Sequence, residues 1–391
     1  MLMAAVLTGA AGPAPAGVPG RSPKERAADL ARAAVVLQLD DVQEEFVLSR
    51  DGRFLAVRVA DGMLKLYDLS TKPPGSIRPS KIGEISAAFT ADGRGVWLGT
   101  TSGRAWLFNL PNADAARSVR RATGLRLEQI VLSPDGGMLG WHDRKARVAG
   151  FFDLRTQQPI TSWKGVTWGG FGRQHVAFTP DGRRFVFHAD GDRGFLSGRL
   201  VLWNIAERKA DASLDVYVTD RTPGYAFAAG ALYYGTRESG PYQIRRWDLA
   251  TGRETVIDPN ARNLHFIDLF ASPSGRYLAE GDFEDEGVRI YDLQQNYKAR
   301  TFGERFANVV VGWDPVLDLV LVTARRSKGV DVWDPRSGER LATVRALAGR
   351  QVERVEMSAD GRRLVASWWT SRGPNTPVRF HITVFRIDGR R

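Results

Sequence analysis

Along this chain short apolar runs alternate with one compact polar signal that keeps returning. In Val131-Leu132-Ser133-Pro134-Asp135-Gly136 an apolar run ends in a Ser-Pro-Asp-Gly turn, and another apolar run follows. Copies stand at Phe46-Val47-Leu48-Ser49-Arg50-Asp51-Gly52, Ala88-Phe89-Thr90-Ala91-Asp92-Gly93 and Ala177-Phe178-Thr179-Pro180-Asp181-Gly182. Phe270-Ala271-Ser272-Pro273-Ser274-Gly275 and Glu356-Met357-Ser358-Ala359-Asp360-Gly361 are two more. The chemistry is that of a tight hairpin. Proline presets φ, Asp or Ser bonds the nearby backbone, and glycine enters the left-handed region without steric cost. The fifth repeat has only Ala228-Ala229-Gly230 at this place, and the seventh has Trp313-Asp314-Pro315-Val316-Leu317 without glycine.

A second mark confirms the period. About 15 to 25 residues after most of these turns, two alternating apolar residues lead to an aromatic and then to Asp or Asn. The aromatics are Tyr67, Phe108, Phe152, Trp203, Trp247, Tyr291, Trp333 and Phe385, spaced 41 to 52 residues apart. A period near ~40–45 residues with this ending predicts four-stranded propeller blades. Trp247-Asp248-Leu249 and Trp333-Asp334 carry the Trp-Asp signature, and Tyr67-Asp68, Phe152-Asp153 and Tyr291-Asp292 carry it with substitution. On these residues the chain resembles the WD-repeat family over roughly 34 to 388. The resemblance implies an all-β, eight-bladed β-propeller of four-stranded antiparallel blades. No Gly-His dipeptide opens any repeat, so that family's Gly-His…Trp hydrogen-bond network does not carry over.

The ends of the chain fit the same scheme. Residues 1–21 are small, apolar and Pro/Gly-rich, with Ala14-Pro15-Ala16 as a cleavage-like pattern, and read as an export leader or a disordered tail. The leader reading points to an exported, periplasmic protein; the alternative is a cytoplasmic one. Ser22-Pro23-Lys24-Glu25 is a capping box, which predicts a short helix over 22–33. Val35, Leu37 and Leu39 then have strand spacing but no hairpin partner before them. The eighth repeat reaches Ile382-Thr383-Val384-Phe385 and lacks an outer strand. Pairing the two is expected to close the ring, making 34–391 a single propeller without an open edge.

Composition narrows the function. Among 391 residues there is no cysteine, and no apolar run reaches the ~18 residues of a membrane-spanning helix. The formal charge is +11, with only nine lysines and no dense basic run, which argues against a nucleic-acid partner. Arg53, Arg94, Arg183, Arg276 and Arg362 each follow a turn glycine and would ring the turn face. Asp51, Asp92, Asp181 and Asp360, two residues away, are expected to offset them. The five histidines have no ligand spacing, and Asp282, Glu284, Asp285 and Glu286 read as a solvated loop. No nucleophile elbow, phosphate loop or zincin helix is present. The expectation is therefore no catalytic, cofactor or metal site.

The strand order sends the turn hairpins to one face and the long connections to the other, at 188–198, 235–243, 281–287, 368–377 and in the linker 163–173. Long loops on a rigid scaffold are where binding concentrates, and Trp and Arg dominate such contacts. Trp163, Trp168, Phe171, Arg173, Trp368, Trp369 and Arg372 are thus the candidate partner-binding residues. By alternation one of Trp368 and Trp369 points inward. The expected protein is a monomeric, non-catalytic scaffold with a protein partner. The alternatives are a lactonase- or quinoprotein-like propeller, which needs axial ligands, and an exported envelope-associated binding propeller.

Overall fold

The computed structural model of the chain describes residues 21–77, 83–112, 114–120, 125–166, 176–190, 197–217, 225–236, 241–261, 268–281, 287–302, 308–324, 329–371 and 378–388. These form nearly all-β structure with one short α-helix, α1 (Pro23–Ala31), and one 3-10 turn at Arg345–Leu347. Six sheets are four-stranded antiparallel meanders, over 84–120, 129–164, 176–217, 225–261, 268–302 and 308–343. A seventh sheet has seven strands. Its middle strand is β1 (Ala34–Leu48), with the last three strands of the chain on one side and the strands of 54–77 on the other. The arrangement of four-stranded sheets is propeller-like.

The turn signal explains the hairpins atom by atom. Ser133 Oγ donates to Asp135 Oδ1 at 2.5 Å and accepts from the Met138 amide at 2.8 Å. Asp135 Oδ1 also accepts from the Gly137 amide at 3.0 Å, and Gly136 sits at φ +69°. Thr90 with Asp92, and Thr179 with Asp181, repeat the pattern. The hydroxyl's hydrogen bond holds the Asp135 and Asp92 carboxyls below their usual range. The fifth repeat turns on Ala229 and Gly230, both at positive φ. The glycine-free seventh places Asp318 in the left-handed region at φ +56°, which Asp tolerates better than most residues.

The acidic residue of the second mark has a local task. Asp153 Oδ1 accepts from the Arg155 and Thr156 amides at 2.7 and 3.1 Å, and Asp248 Oδ1 from Ala250 and Thr251 at 3.1 and 2.9 Å. The Thr251 amide, and then the Arg246 guanidinium, bring the Asp248 carboxyl down to about 2. Of the eight aromatics of this mark, Tyr67, Phe152, Trp247, Tyr291 and Phe385 are buried, while Phe108, Trp203 and Trp333 are half-buried. They belong to apolar clusters that bind neighbouring sheets. Trp97 with Leu139 and Trp141 joins the 84–120 and 129–164 sheets, and Ala177 and Val186 with Leu232 and Trp247 joins the 176–217 and 225–261 sheets.

Both ends of the chain are committed to packing. Ser22 caps α1 as expected, accepting from the Glu25 amide at 3.3 Å while its own amide donates to Glu25 Oε2 at 2.8 Å. The helix ends at Ala31, two residues before the expected limit, with the Arg32 and Ala33 amides bonded back to Asp29 and Leu30. Ala27, Leu30 and Ala33 bury against Leu319, Val332 and Val344, and Arg26 forms an ion pair with Asp314 at 2.7 Å. β1 pairs Val35 with Phe385, Leu37 with Val384 and Leu39 with Ile382, then Phe46 with Val57 and Leu48 with Leu55. A register shift between Leu39 and Val42, with Asp41 at φ +53°, lets one strand serve both neighbours. The expected partner strand is therefore found. The apolar reading of Val35 is corrected: it is 49% exposed, because a bulge between Val35 and Leu37 breaks the alternation.

Candidate partner-binding end

The two ends of the sheets differ in regularity. Connections between first and second strands have five residues in six of the eight repeats, with two in the fifth and six in the seventh. Those between second and third strands range from three residues at 101–103 to eight at 371–378. The links from each outer strand to the next sheet leave from this same variable end, up to the eleven residues of 165–175. The regular end uses its hydroxyls and carboxylates on its own backbone, as described above.

At the variable end Trp368 and Trp369 part as alternation requires. Trp368 is buried and stacks on His381, with ring centroids 4.1 Å apart and planes 16° from parallel. The Arg350 guanidinium covers it at 4.1 Å, and its Nε1 donates to Thr383 Oγ1 at 2.9 Å. His381, Arg350 and Thr383 thus hold this buried indole, so Trp368 is a packing residue. Trp369 is half-buried and its Nε1 donates to Glu353 Oε1 at 2.6 Å. Trp163, also half-buried, packs against Phe187 at 4.5 Å and edge-on against Trp203 at 5.0 Å. Trp168, Phe171, Arg173 and Arg372 lie outside the described residues, as do Asp282 to Glu286.

Sequence reasoning missed His381. Its Nδ1 meets Asp40 Oδ1 at 2.7 Å and its Nε2 meets Thr370 Oγ1 at 3.0 Å. That hydrogen bond is the largest influence holding the Asp40 carboxyl below its usual range. The residues thus tie β1 to the last strand through side chains as well as backbone. Only the fold brings them together, so a single histidine gave no signal.

The inner strands carry charge of their own. Arg354 is buried, donates to Glu356 Oε2 at 2.6 Å and to the Phe46 carbonyl at 3.0 Å, and lies 4.4 Å above the Phe46 ring. Burial pushes the Glu356 carboxyl up, against the pull of Arg354. Another network joins Tyr291 to Glu280 and Asp258, each at 2.8 Å, with Arg289 on Asp258 at 2.6 Å. Both are salt-bridged seams. Among the described residues no three His, Cys, Asp or Glu side chains gather as a metal site, and no helix is long and apolar enough to cross a membrane.

The offset expected for the turn-face arginines is real for three of them, but with different partners for two. Arg53 pairs with Asp68 at 3.2 Å and Arg276 with Asp292 at 2.8 Å, while Arg362 lies 3.9 Å from Asp360. Asp51 is taken up by the Ser49 hydroxyl, which leaves Asp68 of the second mark to meet Arg53, while the Arg276 turn has Ser274 in place of an aspartate and Asp292 meets its arginine. No family model and no curated protein matches this chain.

Proposed function

We propose that the chain is a WD-repeat-like, eight-bladed propeller, its ring completed by β1 against the last strand. In this reading it acts as a protein–protein interaction scaffold through its variable end, without chemistry of its own. The observation that carries the reading is the contrast in connection length. First hairpins are nearly constant, whereas the connections at the opposite end run from three to eight residues within the sheets and up to eleven between them. A fold that fixes one end and varies the other places its specificity in the varied loops. Trp163 and Trp369 stand half-buried at that end, where Trp is a favoured anchor.

Affinity capture from native extract tests this. Replacing Trp168 and Arg372 together by Ala should weaken capture of the partner, with the melting temperature nearly unchanged. Arg362→Ala on the turn face should leave capture intact. Equal capture by the double variant and the parent would overturn the assignment of the binding end.

A further inference from the structure

The seam between the 268–302 and 308–343 sheets holds a cavity of about 50 Å³ on the turn face, opposite the proposed partner end. Four cationic side chains line it, Arg276, Lys298, Arg300 and Arg336, against one carboxylate, Asp292. Asp292 is already taken, accepting from Arg276 Nε at 3.2 Å and Nη2 at 2.8 Å. Asp318 also acts on Arg276 and Arg336 and is held by Ser274. Arg300 donates one nitrogen to the Arg336 carbonyl, which fixes that guanidinium across the seam. Among the described residues, no carboxylate lies within ion-pair distance of Lys298 or Arg336.

Tyr277 also lines the cavity and is 1% exposed. Its hydroxyl has no hydrogen-bond partner within bonding distance among the described residues. Burial pushes this phenol up, while the Arg276 and Arg336 guanidiniums beside it act the other way. A buried hydroxyl without an acceptor costs stability unless something completes it. An anion in the cavity would accept from it and lie against Lys298 and Arg336 at once.

We propose that this cavity binds a phosphoryl group. Size and donor count select that class among anions. A water needs about 10–15 Å³ of such space, so the cavity admits a group of roughly three to five non-hydrogen atoms and excludes a base or a sugar. Donors come from four separate side chains and a hydroxyl. A planar carboxylate offers two oxygens, whereas a phosphoryl group presents three and carries more charge. Arginine forks and a lysine are the usual partners of that group. The group is either free phosphate or a phosphate monoester whose remainder stays outside.

Titration calorimetry of the full chain at low ionic strength tests the site, with inorganic phosphate in one arm. The second arm uses a phosphoserine peptide and its unphosphorylated form. Phosphate is expected to bind with a salt-sensitive affinity, and a stronger phosphopeptide than phosphate would place the source on a larger molecule. Lys298→Ala and Arg336→Gln should each weaken binding about tenfold or more, the scale of a lost charge-assisted hydrogen bond. Arg53→Ala, elsewhere on the turn face, should not. Lys298 is exposed, so its variant folds even where Arg336→Gln does not. Absence of binding in both arms, or binding unchanged by Lys298→Ala and Arg336→Gln, would overturn the proposal.

Discussion

Gly52 and Gly136 hold the same place in two turns, at φ +70° and +69°, yet their surroundings differ. A Cβ on Gly136 would meet nothing within 4 Å, whereas one on Gly52 would lie 2.6 Å from Ser358 Cβ and 2.9 Å from Arg363 Cγ. Gly136→Ala should therefore cost only the left-handed strain, about 1–2 kcal/mol. Gly52→Ala should cost clearly more, because the first repeat must also move against the last. Urea denaturation of the two variants measures the difference, and equal losses would mean that the Ser358 turn yields freely. The turn glycines were legible in the sequence because φ > 0 is a local demand. The closeness of Ser358 to Gly52 was not, since no local pattern reports a contact between the chain's two ends. The second-mark aspartates were legible as a repeat, but their task as turn acceptors needed coordinates.

For α1, the capping box and the apolar positions Ala27 and Leu30 were readable, and where the helix docks was not. Its anchor is Arg26, which donates to Asp314 Oδ1 at 3.0 and 2.7 Å and to the Gly361 carbonyl at 2.7 Å. Arg26 is 4% exposed and Asp314 fully buried. The seventh repeat lacks the usual turn glycine, and Asp314 instead organises its turn, accepting from the Leu317 amide at 3.0 Å. Removing one partner of a buried pair strands the other charge, so Arg26→Met should cost about 3–5 kcal/mol. Adding Asp314→Asn should restore part of it, because the asparagine carbonyl still serves Leu317. Chemical denaturation of the single and double variants checks the cycle; a double variant no better than Arg26→Met would place the loss in packing instead.

At the scale of the molecule, the sheet period and the pairing of the first strand with the last were readable from two matching deficits. The apolar side chains of the first half of β1 add little to that pairing, because Val35 faces outward and Leu37 and Leu39 are only half-buried. A fully buried Leu contributes roughly 1.5–3 kcal/mol, so these two contribute less than that each. The backbone ladder and the Asp40–His381 contact add to them. Removing residues 1–40 should leave the last strand an open edge, giving aggregation or a much lower melting temperature. Leu37→Asp should reproduce much of the loss, while Val35→Thr and Gln38→Glu should be nearly silent. A truncated chain that stays monomeric with an unchanged melting temperature would show that the edge needs no cover. The candidate binding end was legible only as loop length and composition, since its loops carry no repeat and their side chains follow no period.

The shared strand also sets an order of events in time. The first half of β1 pairs only with residues some 338 to 352 positions further along the chain, from Val42 with Phe380 to Ala34 with Arg386. At ~5–20 residues per second, synthesis of what lies between takes on the order of tens of seconds. Throughout that interval the first half of β1 has no partner, and the face of α1 that meets Leu319, Val332 and Val344 has none for most of it. Successive meanders can assemble as they emerge, since each pairs with its own sequence neighbours. The final step is a long-range docking with a large loop to close, the kind of contact that slows folding most. A nascent chain of this protein thus carries the first half of β1 unpaired over that interval, which is when it is most open to pairing with the wrong molecule.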